Sequence, residues 1–153
     1  MSIAPIPPGY HTVTPYLVVA DCAAALDFYA RAFNAEETVR MPMPNGKIMH
    51  AEIRIGDSML MLSDESADWG AYGPKHYGGS PTHVMLYLPD ADATFATALA
   101  AGATAVRPME THFWGDRMGR IADPFGHHWS LGTHVEDVEP AEMERRFKAM
   151  MGG

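Results

Sequence analysis

The chain has 153 residues, 47% of them apolar and 20% charged, a balance that supports one compact domain with a true core and excludes a disordered chain. A formal charge of −8, with eleven scattered Lys and Arg, excludes a nucleic-acid partner, because phosphate binding needs clustered cations. No apolar run reaches the roughly eighteen residues that span a bilayer, no basic segment precedes the first apolar residues, and the single cysteine excludes a disulfide framework, so a soluble, cytoplasmic protein is expected with no membrane partner.

In chain order, alternation predicts a first strand near Thr12–Ala20. Asp21 follows as an N-cap whose carboxylate can take the orphan amides of a first helical turn. Cys22, Ala25, Leu26, Tyr29 and Phe33 then recur at helical spacing on one face, and Asn34 is a left-handed terminator. Three strands come next, Glu36–Met41, Lys47–Ile55 and Ser58–Ser63, with turns at Pro42–Gly46 and Gly56–Asp57. From Asp64 to Pro81 the pattern dissolves into Gly, Pro, Ser and Asp around Trp69, Tyr72, His76 and Tyr77. A connection this long in a compact domain reads as a lid or a dimer contact.

The order then repeats. A strand His83–Leu88 leads to a helix opened by Asp90, carrying Ala91, Phe95, Ala98 and Leu99 and released at Gly102. Strands near Thr104–His112, Asp116–Ala122 and His127–Thr133 complete the second set, with Asp123–Gly126 as the last hairpin turn. Pro140–Met150 reads as an appended helix with a stripe of Met143, Phe147 and Met150. The repeat is visible in the residues themselves: residues 14–21 (TPYLVVAD) are echoed by 83–90 (HVMLYLPD). The fold class is therefore α+β, two tandem βαβββ modules (about 12–64 and 82–134, linker 65–81) forming a cupped mixed sheet, with a C-terminal helix in 136–153.

Strand parity sorts side chains by face. In 49–55, Met49, Ala51, Ile53 and Ile55 belong under the helices, while His50, Glu52 and Arg54 face a groove. By the same rule Tyr16, Met59, Met61, Ser63, His83, Met85, Tyr87, His128 and Ser130 face the groove, and Leu60, Leu62, Val84, Leu86, Trp129 and Leu131 are covered. A concave surface of Met and Tyr with a few polar groups is the make-up of a small-molecule site. The twelve Met, nine of them between positions 41 and 143, suit either a plastic core or an apolar pocket.

This βαβββ duplication resembles the vicinal-oxygen-chelate superfamily of glyoxalase I, bleomycin-resistance proteins, fosfomycin-resistance enzymes and extradiol dioxygenases, over Tyr10–Val135 as a single domain (10–135). Residues 49–64 (MHAEIRIGDSMLMLSD) and 110–131 (ETHFWGDRMGRIADPFGHHWSL) are similar to its PhnB-like subgroup. In metal-using members one ligand lies on the first and one on the last strand of each module, which the resemblance places on Thr14, Met61, His83 and Ser130 of this chain. Only His83 is a good ligand for a divalent ion, so the usual centre is expected to be absent. Bleomycin-resistance members imply another mode, a metal-free homodimer that holds a flat molecule against aromatic and apolar walls.

Two functions follow as expectations. The first is a small-molecule-binding protein of the glyoxalase/bleomycin-resistance type, probed by Tyr16, Met59, Met61, Met85, Tyr87 and Trp114 as walls and His50, Glu52, His83 and Arg120 as polar anchors. The second is an enzyme of the lyase, isomerase or dioxygenase type that uses a divalent metal (Zn, Ni, Mn or Fe) at a shifted site of His50, His83, His128 and Glu52. A third, metal-free acid–base catalysis by His83 or Glu52, stays open beside them. Arg117 and Arg120, an odd number of residues apart, are not expected to converge.

Overall fold

The structure is a computed structural model and is described for residues 2–152. Its elements run β1 (Tyr16–Val19), α1 (Cys22–Phe33), β2 (Glu36–Pro42), β3 (Ile48–Ile55), β4 (Ser58–Asp64), β5 (His83–Tyr87), α2 (Ala91–Ala101), β6 (Thr104–Thr111), β7 (Asp116–Ala122), β8 (His128–His134) and α3 (Pro140–Met150), with one 3-10 turn at Ala67–Trp69. Two four-stranded mixed sheets result, in the orders β1-β4-β3-β2 and β5-β8-β7-β6. The first strand of each set pairs in parallel with the last, because the helix carries the chain over the sheet between them, and the remaining pairs are antiparallel hairpins. The duplicated α+β order read from the sequence is the observed one. No helix among the described residues is long and apolar enough to cross a membrane.

The chain forms two compact units, one comprising the residues up to Pro81 together with Pro124–His127, the other Thr82–Asp123 and the residues from His128 onward. In the first unit Asp21 sits in extended backbone (φ −144°) and accepts the Ala24 N–H at 3.0 Å, while Asn34 ends α1 at φ 55°. All five residues expected on the buried face of α1 are buried, joined by Phe28 and Ala32. They cover Leu17, Val19, Ala51, Ile53, Ile55, Leu60 and Leu62. Cys22 is fully buried at the helix start, and burial pushes its thiol up to about 12.

Two features of this unit correct the sequence reading. Met49, expected under the helix, is 47% exposed and Ile48 is buried in its place. The register of β2 on β3 slips between Met41↔His50 and Pro42↔Ile48, so Met49 is the extra residue of a β-bulge and alternation reverses there. The turn after Asp123 also does more than reverse the chain: the Phe125 ring packs edge-on at 6.3 Å from Phe28 and 6.4 Å from Tyr29, and His127 Nε2 donates to the Val18 carbonyl at 2.8 Å. The last strand accordingly begins at His128 and not at His127.

A buried carboxylate ties this unit together. Asp64, 8% exposed at the end of β4, accepts the Cys22 N–H at 2.9 Å and the Ile48 N–H at 2.6 Å, joining the start of α1 to the start of β3. In the second unit the corresponding strand position is Thr133, whose hydroxyl accepts the Ala91 N–H at 2.9 Å and donates to the Leu88 carbonyl at 2.8 Å.

There Asp90 caps α2 by accepting the Ala93 N–H at 3.1 Å, and Gly102 releases it at φ 118°. Ala91 and Ala98 are buried as expected, but Phe95 is half-buried and Leu99 is 36% exposed, since α2 is mostly Ala and presents little side-chain bulk. Beneath it lie Ile121, Trp129 and Leu131, with the Trp129 indole N–H donating to Asp123 at 2.9 Å. Helix α3 has no buried residue. Arg146 holds it, donating to Glu136 at 2.8 Å and to the Phe113 carbonyl at 3.1 Å, with Phe147 5.9 Å from the Phe113 ring.

Replacing Asp64 with Ala leaves two buried N–H groups without an acceptor, so urea unfolding of D64A should show a loss of about 3 kcal/mol, with D64N retaining part of it. Gly115 adopts φ 100° and a Cβ there would stand 2.1 Å from the Glu136 carbonyl oxygen, whereas Gly56 adopts φ 58° facing open space. G115A is therefore expected to lower Tm clearly more than G56A, whose cost is about 1 kcal/mol of backbone strain alone.

Candidate functional site

In the first unit the sheet face opposite α1 carries Tyr16, His50, Glu52, Met59 and Met61, brought together by the registers Tyr16↔Met61, Glu52↔Met61 and Arg54↔Met59. Three of them form a hydrogen-bonded chain. The Tyr16 hydroxyl lies 3.0 Å from His50 Nδ1, and His50 Nε2 lies 3.0 Å from Glu52 Oε1. The other carboxylate oxygen of Glu52 accepts the hydroxyl of Tyr10. His50 and Glu52 side chains are only 22% and 18% exposed. Hydrogen bonds from His50 and Tyr10 hold the Glu52 carboxyl below the usual carboxylate range, while burial and the Glu52 hydrogen bond push the Tyr10 phenol up to about 12. Sequence reasoning missed Tyr10, which lies outside any strand pattern, 42 residues from its partner.

Tyr16 and His50 open onto a cleft of about 490 Å³ in this unit, walled by Val18, Met43, Ile48, Met49 and Trp69. Two carboxylates also border it, but both hold backbone: Asp64 the amides described above, and Glu65 the Gly73 N–H at 2.9 Å. The predicted residues Glu52, Met59 and Met61 share the sheet face without lining the cleft. Met43, Met49 and Trp69 were not expected there. The bulge turns Met49 outward, and Trp69, 82% exposed, comes from the irregular segment after β4.

In the second unit His83, Met85 and Tyr87 lie beside His128, Ser130 and Gly132, as the parity reading requires. Arg120 Nε donates to the Ser130 hydroxyl at 3.3 Å, and Arg120 Nη2 reaches His83 Nε2 at 3.4 Å. Burial, then the charges of Arg120 and His128, lower the His83 pKa. Tyr87 donates to Asp116 at 2.9 Å, and His134 Nδ1 reaches the other Asp116 oxygen at 2.8 Å. Arg117 points the opposite way from Arg120, to Asp92 at 2.7 Å, so the two do not converge. A cleft of about 450 Å³ here is lined by Trp114, His112, Met118, Glu110, Arg107 and Arg120. Trp114 stacks on His112 at 4.2 Å and 6°.

The residues do not fit the metal centre of the fold's metal-using members. Thr14 donates its hydroxyl to the His11 carbonyl, Ser130 accepts from a guanidinium, and the His83 imidazole faces that same cation, which opposes a divalent ion. The shifted set fares no better: both ring nitrogens of His50 are hydrogen-bonded to Tyr16 and Glu52. Among the described residues no three His, Cys, Asp or Glu side chains come together as a metal site.

The Glyoxalase/Bleomycin resistance protein/Dioxygenase superfamily profile matches residues 10–131. An uncharacterized protein of Mycobacterium bovis is 44% identical over 144 residues, covering 92% of this chain and 95% of that protein. The crystal structure of TioX from Micromonospora sp. ML1 superposes with a TM-score of 0.64 at 27% identity, covering 82% of this chain and 99% of TioX. A PhnB protein from Bacillus cereus shares the fold, with a TM-score of 0.60 at 18% identity over 80% of this chain and 99% of that one. With a duplicated βαβββ order and a profile match spanning both sets of strands, the chain belongs to the Glyoxalase/Bleomycin resistance protein/Dioxygenase superfamily.

Proposed function

We propose that the chain is a small-molecule-binding protein of the glyoxalase/bleomycin-resistance type, and that it holds an apolar or aromatic ligand in the cleft of the first unit. The observation that carries this reading is the cleft's make-up: about 490 Å³ walled by aliphatic, thioether and indole side chains, with Tyr16 and His50 as convergent polar groups. Thioethers adapt to flat ligands, and an aromatic that loses about 150 Å² of apolar surface gains about 4 kcal/mol before association costs. Residues 10–135 act in this reading as one ligand-binding domain, with 136–153 as an appended helix. A homodimer is part of the proposal, supported by the exposure of Trp69 and Tyr77, 82% and 68%.

Naphthalene-sized probes such as 2-methoxynaphthalene should raise Tm in a concentration-dependent way, equally with and without EDTA. Met49→Glu, at a position 47% exposed, should leave the unliganded Tm within about 2 °C of the parent and abolish the ligand-induced rise. A flat Tm across the probe panel, or a Met49→Glu protein that responds like the parent, contradicts the reading.

A further inference from the structure

The polarity of the Tyr16 oxygen is fixed by groups that never reach the cleft. Glu52 accepts from Tyr10 on one oxygen and meets His50 Nε2 at 3.0 Å on the other. An ionised carboxylate can only accept, so the Nε2 of a neutral His50 carries the proton and its Nδ1 is a bare lone pair. The Tyr16 hydroxyl, 3.0 Å from that lone pair, must therefore be the donor of their bond. Its hydrogen is directed at the imidazole, and what it shows the cleft is oxygen lone pairs. Donating along such a chain polarises the oxygen and strengthens it as an acceptor. Tyr16 is 49% exposed and lines the cleft, so an incoming ligand meets that oxygen.

We propose that the first-unit cleft selects apolar or aromatic molecules that bring a hydrogen-bond donor, a phenolic O–H or a heteroaromatic N–H, and that Tyr16 receives it. The selection rests on the binding function proposed above and adds its ligand class. A molecule of the same shape whose polar atom is only an acceptor, an aryl ether or ketone, places lone pairs against lone pairs. The loss is that of an unmade buried hydrogen bond, about tenfold in affinity. Tyr10 and Glu52 are positioning residues: they touch no ligand and set the direction of the Tyr16 O–H through His50.

Calorimetric titration at pH 8 with 2-naphthol and with 2-methoxynaphthalene, which differ by methylation of the donor, tests this directly. The parent protein should bind 2-naphthol about tenfold more tightly. Tyr16→Phe should bring the ratio toward one, weakening 2-naphthol relative to the methyl ether. Glu52→Gln, whose carboxamide can donate to His50 Nε2 and turn the tautomer over, should also lower or invert the ratio. Melting curves of both variants establish that they are folded. Equal affinities in the parent, or a preference undiminished in both folded variants, overturn the donor selection while leaving cleft binding intact. Failure of both probes to bind the parent removes the binding function and the selection together.

Discussion

The first unit depends on one buried carboxylate. Asp64 draws the amides of Cys22 and Ile48 onto its two oxygens, which fixes where α1 begins and turns Ile48 inward at the start of β3. With Ile48 held inside and His50 required on the opposite face, the residue between them has no place in the alternation. Met49 becomes the extra residue of a bulge and is turned out as cleft wall. A carboxylate buried in this way is costly unless it is hydrogen-bonded, and here each oxygen accepts one backbone amide, at 2.9 and 2.6 Å. The cleft is thus a consequence of how the helix and sheet are joined.

The second unit solves the same joint with a neutral group, Thr133, and its sheet face has different chemistry. Arg107 and Arg120 stand directly opposite each other across β6 and β7 with no carboxylate partner within ion-pairing distance among the described residues. Like charges so placed repel, and His83 lies within reach of one of them. That cationic setting opposes a divalent ion at His83, the only good metal ligand among the four positions implied by the superfamily. One sequence repeat has given one cleft edged by Tyr16 and His50 and a second edged by Arg107 and Arg120.

Much of the fold was legible because its signals are local. Asp21 and Asp90 as caps, Asn34 and Gly102 as exits, and the spacing of Cys22, Ala25, Leu26, Tyr29 and Phe33 all depend on residues within a few positions of one another. Parity placed His50, Glu52 and Met61 on one face and His83 and Ser130 on another, as observed. It failed at Met49 because a bulge leaves no mark in a run of alternating residues. The site was legible only in part for a related reason. Tyr10 with Glu52, Asp64 with Cys22, and Phe125 with Phe28 are contacts between residues far apart in sequence, and none carries a motif. Trp69 lies in a segment without periodicity, so no rule of alternation could assign it to the cleft wall.

The twelve methionines give a direct readout of where a ligand sits. In protein labelled with carbon-13 at the methionine methyls, titration with 2-naphthol should shift the signals of Met43 and Met49, which line the first-unit cleft, and leave those of Met85 and Met118 in the second unit in place. Movement of Met85 and Met118 with Met43 and Met49 unchanged would contradict the account.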